Sequence, residues 1–332
     1  MPNAHADAAA AAETDQPLQQ WWSKMNAVLQ EMGQSHRIVP PVAVPVRWHA
    51  RRVWKGRVVG EVLDAVAGDL NGNGKSEIVI LTSDAVVVLS RSRGLIDVRA
   101  RADLQSAPAS IRPRDSMGSI GLSTNEAGDV VIRVRSSERA QGEMYKYIDG
   151  DLVYGGEMDG YPLCSDGVIF AAPGRNYYLG KSGEMRGEKS QMAPKLYSFR
   201  CQPGVDPNGY PVTFSSEVSA AGVLRIHCDG DEEYCRGVEQ EYPNVGVAHL
   251  VADINNDGYP EVITTGLDLS KVGDEISVYS QESHKQRLLY DRNFSGGVVA
   301  LFAGDLDGRG AVEALSVVRI RGNDRISLWL LN

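Results

Sequence analysis

The stretch Leu250-Val-Ala-Asp-Ile-Asn-Asn-Asp-Gly-Tyr-Pro-Glu-Val-Ile-Thr264 (LVADINNDGYPEVIT) places a polar loop between two short apolar runs. Two other segments align with it without gaps, at 66–80 (VAGDLNGNGKSEIVI) and at 302–316 (FAGDLDGRGAVEALS). Each segment is predicted to form a strand, a nine-residue polar loop and a second strand. Because one unit recurs at wide spacing, the loops, which begin at Asp69, Asp253 and Asp305, indicate a repeat architecture.

From residue 46 onward, the chain consists of short β-branched or alternating runs separated by turn residues, for example Glu77–Leu81, Asp129–Val134 and Glu275–Tyr279. This pattern predicts an all-β fold, and a sandwich, a barrel or a propeller could hold that many short strands. The first two loops start 184 residues apart and the last two 52 residues apart. Since a propeller blade has roughly 40 to 50 residues, this spacing predicts a β-propeller of six blades, with seven as the alternative.

The last predicted blade is one strand short, because the chain ends after Ala314–Val318 and Arg325–Leu331. The run Val46–Trp54 precedes the first loop and has no other predicted partner. We expect it to complete the last blade, which would tie both ends of the propeller together and remove two exposed sheet edges.

Three short segments precede the predicted propeller at 46–332: a flexible Ala-rich tail at 1–14, an amphipathic helix at 15–36 and a Pro-rich linker at 37–45. The apolar stripe of the helix contains the candidate partner-docking residues Trp21, Trp22 and Met25. It either packs on the propeller or docks a partner. The A-x-A pattern at 4–6 is compatible with an exported chain whose leader has been removed, and equally with a flexible tail.

The charge and hydropathy of the chain argue against two classes of partner. The formal net charge is -9, with 43 acidic and 34 basic residues, and no block of Lys and Arg resembles a phosphate-binding tract. Nucleic acid is therefore an unsuitable partner. The longest apolar runs are strand-sized and fall far short of the roughly 18 residues of a membrane span, so no span is predicted.

Four cysteines lie in the middle of the chain, and none forms a Cys-x-x-Cys pair. Cys228 and Cys235 flank a short polar loop and would form a disulfide, which leaves Cys164 to pair with Cys201. Two disulfides would indicate an oxidising compartment, whereas buried free thiols are the alternative.

The second polar loop has the spacing of a hard-cation site. Oxygen-bearing side chains stand at positions 1, 3, 5 and 9, with a glycine at position 6 where the chain must reverse, and a backbone carbonyl fills position 7. Calcium accepts such irregular shells of oxygen ligands. The predicted ligands are Asp253, Asn255, Asp257, the carbonyl of Tyr259 and Glu261.

The first loop repeats this spacing with two of its acids replaced by amides, so we expect weaker binding there. Its predicted ligands are Asp69, Asn71, Asn73, the carbonyl of Lys75 and Glu77. The tripeptide Gly-Lys-Ser at 74–76 resembles the end of a phosphate-binding loop, but that motif requires glycine at position 69, where this chain has an aspartate.

The third loop keeps Asp305, Asp307 and Glu313 but has Arg309 at position 5. A guanidinium group that points into the loop would replace the cation with an internal salt bridge. The sequence therefore predicts one or two Ca²⁺ ions, with a third as the alternative. An Asx-rich turn without metal is the alternative for all three loops.

The loops DLNGNGKSE, DINNDGYPE and DLDGRGAVE, each framed by β-rich sequence, resemble the FG-GAP/VCBS repeats of integrin-α-like β-propellers. The resemblance implies calcium loops between the first two strands of a blade, and a propeller that serves adhesion, scaffolding or assembly outside the cytoplasm. Glutamate at position 9, in place of the commoner aspartate, and Arg309 depart from that family's pattern.

Common enzyme motifs such as G-x-S-x-G and H-E-x-x-H are absent from the sequence. Of the six histidines, only His249 lies near a recognisable loop, and we expect it to have a structural role at a strand end. The acidic run Asp231–Glu233 is expected in a solvated disulfide loop.

Together these observations predict an extracytoplasmic, calcium-stabilised propeller in the periplasm, at the cell surface or secreted. Its expected partner is another protein or an envelope complex, with a glycan as an alternative. The competing hypothesis is an enzyme that processes a polysaccharide or a phosphoester at the mouth of the propeller.

Overall fold

The computed structural model of the protein describes residues 43–109, 116–125, 128–158, 200–219, 221–267, 273–281, 286–320 and 325–331. The described strands form five four-stranded antiparallel sheets, which we call blades I to V. Blade I contains β2 (Val62–Gly68), β3 (Glu77–Thr82), β4 (Ala85–Ser92) and β5 (Leu95–Asp103). Blade II contains β6 (Gly118–Thr124), β7 (Val130–Ser136), β8 (Gly142–Ile148) and β9 (Asp151–Met158).

The other three blades follow in chain order, and a single described helix lies within blade III. Blade III contains β10 (Arg200–Val205), β11 (Pro211–Val218), β12 (Leu224–Asp229), helix α1 (Glu232–Val238) and β13 (Glu241–Tyr242). Blade IV contains β14 (Val245–Ala252), β15 (Glu261–Gly266), β16 (Asp274–Ser280) and β17 (Arg287–Phe294). Blade V contains β18 (Val298–Gly304), β19 (Glu313–Arg319), β20 (Arg325–Leu331) and β1 (Ala50–Arg57).

The all-β propeller class predicted from the sequence is confirmed, but the prediction of six or seven blades is wrong, because the described strands form five. The error came from assuming evenly spaced blades. Blade II begins at Gly118 and blade III only at Arg200, so the interval between the first two calcium-type loops holds fewer blades than its length suggests.

The predicted tail at 1–14, the predicted helix at 15–36 and the docking residues of that helix lie outside the described residues. Those docking residues are Trp21, Trp22 and Met25. Of the predicted linker at 37–45, only the last three residues are described, and they are exposed and without regular secondary structure.

Apolar clusters join neighbouring blades. Blades I and V share one cluster, blades IV and V a second, blades I and II a third, and blades III and IV a fourth. Strand β3 is buried along its whole length, because its alternate side chains enter the clusters on both sides of blade I. A sheet with two covered faces favours a continuous β-branched and aliphatic run such as Ile78–Leu81.

The predicted closure is confirmed, although the closing strand is displaced along the sequence. Strand β1 spans Ala50–Arg57 rather than Val46–Trp54, and it pairs antiparallel with β20 as the outer strand of blade V. The register shifts between Arg52 and Trp54, so β1 carries a β-bulge. The first and last described strands of the chain therefore belong to one sheet.

The predicted disulfide between Cys228 and Cys235 is confirmed and joins β12 to α1. The segment between the two cysteines is not simply a loop, because Asp231 caps α1 by accepting hydrogen bonds from the N–H groups of Glu233 and Tyr234, both at 3.0 Å. The acidic residues in the first turn of α1 also interact favourably with the positive, N-terminal end of the helix dipole. Cys201 is also disulfide-bonded, whereas its predicted partner, Cys164, lies outside the described residues.

Deleting residues 43–57 should destabilise the propeller far more than deleting residues 1–42. The first deletion removes β1, exposing the edge of β20 and one side of buried Leu328. We expect the melting temperature to fall by about 10 °C or more, with aggregation visible by light scattering. Equal melting temperatures for the two deletions would contradict the role assigned to β1.

Candidate functional site

The three polar loops that begin at Asp69, Asp253 and Asp305, called here the calcium-type loops, join the first two strands of blades I, IV and V, as the FG-GAP/VCBS resemblance implies. The first connects β2 to β3, the second β14 to β15, and the third β18 to β19. One central funnel is lined by Asp69 and Asp253, which begin the first and second loops, and by Gly304, which immediately precedes the third loop. The loops therefore lie together on one face of the ring, called here the loop face.

The second loop turns around the carboxylate of Asp253. Its Oδ1 accepts a hydrogen bond from the N–H of Asp257 at 3.1 Å, and its Oδ2 accepts one from the N–H of Gly258 at 2.9 Å. Asp257 in turn accepts a hydrogen bond from the N–H of Tyr259 at 2.7 Å. Gly258 has a φ of 87°, and a Cβ there would come within 2.5 Å of the backbone of Pro207. Position 6 of the loop thus requires glycine, because of both its positive φ and its close approach to Pro207.

Glu261 closes the second loop and is only 1% exposed. Its Oε2 accepts hydrogen bonds from the N–H groups of Ile254 at 2.8 Å and Asn255 at 3.3 Å. Burial, together with the negative charges of Asp257 and Asp253, raises the pKa of Glu261 to about 8. Burial likewise raises the pKa of Asp253 to about 6. Within the described chain, no cationic side chain pairs with these three carboxyl groups.

Helix α1 braces the second loop from blade III. The hydroxyl of Tyr234 donates a hydrogen bond to the carbonyl of Gly258 at 2.7 Å, and its ring lies 5.7 Å from that of Tyr259. The disulfide between Cys228 and Cys235 holds the same helix to β12. The loop is therefore anchored by a neighbouring blade as well as by its own strands.

The first loop repeats this hydrogen-bonding pattern with less negative charge. Oδ2 of Asp69 accepts from the N–H of Gly74 at 2.8 Å, and Oε1 of Glu77 accepts from the side-chain amide of Asn71 at 2.9 Å. Glu77 is 1% exposed. Burial raises its pKa, and the nearby Asp69 charge adds to the effect.

The first and third loops contact each other. In the first loop, Asn73 accepts a hydrogen bond from the N–H of Lys75 at 2.8 Å. The next N–H, of Ser76, donates to the carbonyl of Asp305 at 2.7 Å. A change in one loop would therefore reach the other across the boundary between blades I and V.

The third loop holds its acids with arginines. Arg309 lies 3.3 Å from Asp307, but its side chain is 82% exposed and does not fill the loop. The buried end of the loop uses a different arginine: Arg91 of β4 pairs with Glu313 at 3.3 Å. Arg91 is 222 residues away in sequence and follows an ordinary strand pattern. Sequence reasoning therefore missed it.

The donor sets of the first and second loops suit Ca²⁺ in their oxygen chemistry and spacing. Among the described residues, however, no group of three or more His, Cys, Asp or Glu side chains is arranged to hold a metal ion. In both loops the leading aspartate is held by N–H groups of its own turn. Asp69 and Asp253 are thus already held against their own backbone, and the calcium ligands stay a prediction.

A funnel of about 730 Å³ opens at the centre of the loop face. Its described lining is mainly aliphatic or small, as at Val66, Leu122 and Val212, and its two carboxylates belong to the loop residues Asp69 and Asp253. The N–H of Val44 donates to the carbonyl of Asn255 at 2.6 Å, so the described chain starts beside the second loop.

His249 is fully buried, and it lies within β14 rather than at the strand end expected from the sequence. Its Nδ1 donates to the carbonyl of Val247 at 3.0 Å, and its Nε2 accepts from the hydroxyl of Ser216 at 2.9 Å. Burial, followed by the positive charge of Arg200, lowers its pKa to about 3. Arg200 itself lies 2.9 Å from buried Asp64 of β2. This network joins blades I, III and IV through neutral and charged groups that are already paired.

No protein-family model matches the chain, and no curated protein matches it in sequence. Among solved structures, the chain is similar to the core factor of S. cerevisiae at 8% identity and a TM-score of 0.43, covering 87% of this chain and 62% of that chain. It is similar to the soluble aldose sugar dehydrogenase of Escherichia coli at 8% identity and a TM-score of 0.42, covering 86% and 99%.

A third similar structure is an exo-β-1,3-galactanase from Clostridium thermocellum, at 12% identity and a TM-score of 0.40, covering 83% of this chain and 62% of that chain. The chain thus spans under two thirds of the core factor and the galactanase. Similarity at this level does not assign a function. The FG-GAP/VCBS resemblance continues to rest on the three loops themselves. In the described part of the chain, no helix combines the length and apolar character of a membrane span.

Unfolding measured as a function of pH should reveal the neutral, buried state of His249. The unfolded state binds a proton near the ordinary pKa of 6.5, whereas the folded state resists protonation down to about pH 3. Stability is therefore lost as the pH falls through this window, by up to about 1.4 kcal/mol per pH unit. The raised pKa values of Glu261 and Asp253 act in the opposite direction, so the effect must be read from a difference between variants.

The measurement is urea unfolding of the wild type, His249→Gln and His227→Gln between about pH 7 and pH 4. The stability advantage of the wild type over His249→Gln should shrink as the pH falls. His227 is exposed on β12, and its variant should follow the wild type. An advantage over His249→Gln that stays constant with pH would contradict the neutral buried state.

Proposed function

We propose that the protein is an extracytoplasmic, calcium-stabilised β-propeller that serves as a protein-interaction, adhesion or envelope-assembly module. The first and second loops would bind Ca²⁺, and the third would not. Bound calcium would stiffen the loop face and the boundaries between its blades, where a partner would dock.

The observation that carries this proposal is the difference in charge compensation among three loops of one design. In the third loop, Arg91 and Arg309 stand beside Glu313 and Asp307. In the second loop, Asp253, Asp257 and Glu261 have no described cationic partner, and two of them are held in a buried setting that raises their pKa values. A bound cation would supply the charge that the arginines supply elsewhere.

The residues that would hold the ion in the second loop are those predicted from its spacing. They are Asp253, Asn255, Asp257, the carbonyl of Tyr259 and Glu261. Calcium would contribute positive charge and cross-link the two ends of the loop, which now depend on N–H groups. The first loop offers fewer carboxylates, so we expect it to fill at higher calcium concentration.

The disulfide between Cys228 and Cys235 supports a location outside the cytoplasm, where disulfides persist. Calcium is millimolar in extracellular settings, and loops of modest affinity are filled at such concentrations. Both features agree with the compartment implied by the FG-GAP/VCBS resemblance.

The lining of the funnel supports binding over catalysis. Its described carboxylates, Asp69 and Asp253, already accept hydrogen bonds from their own loops. The described lining is chiefly aliphatic. An enzyme acting on a polysaccharide or phosphoester remains the competing hypothesis. It would require convergent acid, histidine or arginine groups at this mouth.

Removing calcium should destabilise the protein through the second loop. We expect EDTA to lower the melting temperature, and a calcium concentration about 100 times the dissociation constant to restore about 3 kcal/mol. Asp257→Ala should abolish most of this response, whereas Asp307→Ala should leave it intact. The two variants are matched, because each aspartate accepts one backbone N–H two residues ahead, Asp257 from Tyr259 and Asp307 from Arg309. Equal calcium responses in the two variants would count against the proposal.

The third loop should become a calcium loop when its arginines are removed. Arg309→Asp restores the acid at position 5, and Arg91→Gln removes the cation beside Glu313. The double variant should bind one more Ca²⁺ per chain than the wild type in equilibrium dialysis. Arg91→Gln alone keeps Arg309 and serves as the control. Unchanged stoichiometry in the double variant would show that arginine pairing does not explain the difference among the loops.

A further inference from the structure

A second concave site lies away from the loop face, between blades IV and V. It is a pocket of about 320 Å³ whose lining combines basic and aromatic side chains. Arg319 ends β19 at the opposite end from Glu313, where the third loop joins that strand, and Arg319 lines this pocket. The pocket shares no lining residue with the funnel. It is called here the basic pocket.

The β-bulge in β1 places two basic side chains on one face of the strand. Arg52 lies opposite Trp329 and Lys55 lies opposite Ser327 in the pairing with β20. Trp329 and Ser327 are two residues apart and share a face, so Arg52 and Lys55 share it as well. In a regular strand, side chains three residues apart lie on opposite faces. The extra residue of the bulge instead places Arg52 and Lys55 on the same face.

Trp329 holds two guanidinium groups in the basic pocket. The Cζ atom of Arg292, on β17, lies 4.7 Å from the centroid of the Trp329 ring, and the Cζ atom of Arg52 lies 5.9 Å from it. Arg292 also lies 5.3 Å from the ring centroid of Phe294. Aromatic stacking fixes the plane of a guanidinium group and leaves its N–H edge available to an acceptor in that plane.

The positive charge of this pocket exceeds the negative charge around it. Arg319 is paired with Glu61 at 2.8 Å, and Arg292 donates to the carbonyl of Ala50 at 2.8 Å, which carries no charge. In the described structure, neither Arg52 nor Lys55 has a carboxylate partner, and the described lining contains no acidic residue. Like charges held within roughly a Debye length of one another favour an anion between them.

We propose that the basic pocket binds an oxyanion, such as the sulfate, phosphate or carboxylate group of a small ligand. Guanidinium groups pair with these groups through two parallel N–H donors, and an ammonium group adds a third point of charge. Polar groups at the rim, including Asn293 and Ser295, would hydrogen-bond to whatever carries the oxyanion. The oxyanion could arrive as a free ion or as the charged group of an acidic or sulfated sugar.

The test is calorimetric titration of the full chain with sodium sulfate, sodium phosphate, glucuronate and glucose 6-sulfate at constant ionic strength. We expect saturable binding of at least one probe. Equal affinity for sulfate and glucose 6-sulfate would identify a free-anion site. Tighter binding of either sugar than of the inorganic ions would identify a saccharide site. Failure of all four probes to saturate would overturn the proposal.

The matched variants are Arg52→Gln with Lys55→Gln, and Arg51→Gln as the control. Arg51 is the exposed neighbour of Arg52 on the same strand and does not line the pocket. The double variant should weaken binding at least tenfold, while Arg51→Gln should leave it unchanged. If the double variant unfolds, Lys55→Gln alone should still weaken binding severalfold. Equal weakening by Arg51→Gln and the pocket variants would show that only the general charge of the strand matters.

Discussion

The pairing of β1 with β20 is the constraint on which the rest of the propeller depends. Blade V packs against blades I and IV through two apolar clusters, so the loss of one of its strands would weaken both clusters at once. Blade V receives three strands from the end of the chain and its outer strand from the start. The hydrogen bonds of this one pairing therefore complete blade V, and they also protect the edge of β20.

The three loops share one backbone design, but they differ in which positive groups lie beside their acidic side chains. Each loop folds its leading aspartate back onto the N–H groups of the turn, so the backbone geometry does not depend on what neutralises the acids. The third loop uses arginines, one from its own sequence and one from the neighbouring blade. The second loop keeps Glu261 buried and Asp253 and Asp257 half-buried, with no cationic partner among the described residues, and a cation would contribute most there.

A polar network crosses between blades where apolar packing alone would not specify their alignment. Asp64 of blade I meets Arg200 of blade III at 2.9 Å and also accepts the N–H of Ile120 from blade II at 3.1 Å. Burial raises the pKa of Asp64, while Arg200 lowers it. The neutral His249 of blade IV is tied to Ser216 of blade III. These contacts are fully directional, so they fix how the blades face one another in a way that aliphatic clusters cannot.

The sequence by itself determined the fold class, the three strand–loop–strand units, the closing strand and the disulfide between Cys228 and Cys235, because each is written in local patterns of a few residues. It did not determine the blade number, since unequal spacing between blades leaves no mark on the strands themselves. Only the tertiary structure placed Arg91 beside Glu313 and gathered Arg52, Lys55 and Arg292 around Trp329. Those partners lie on different blades or depend on a one-residue bulge, and no local pattern records which distant side chains a closed ring will bring together.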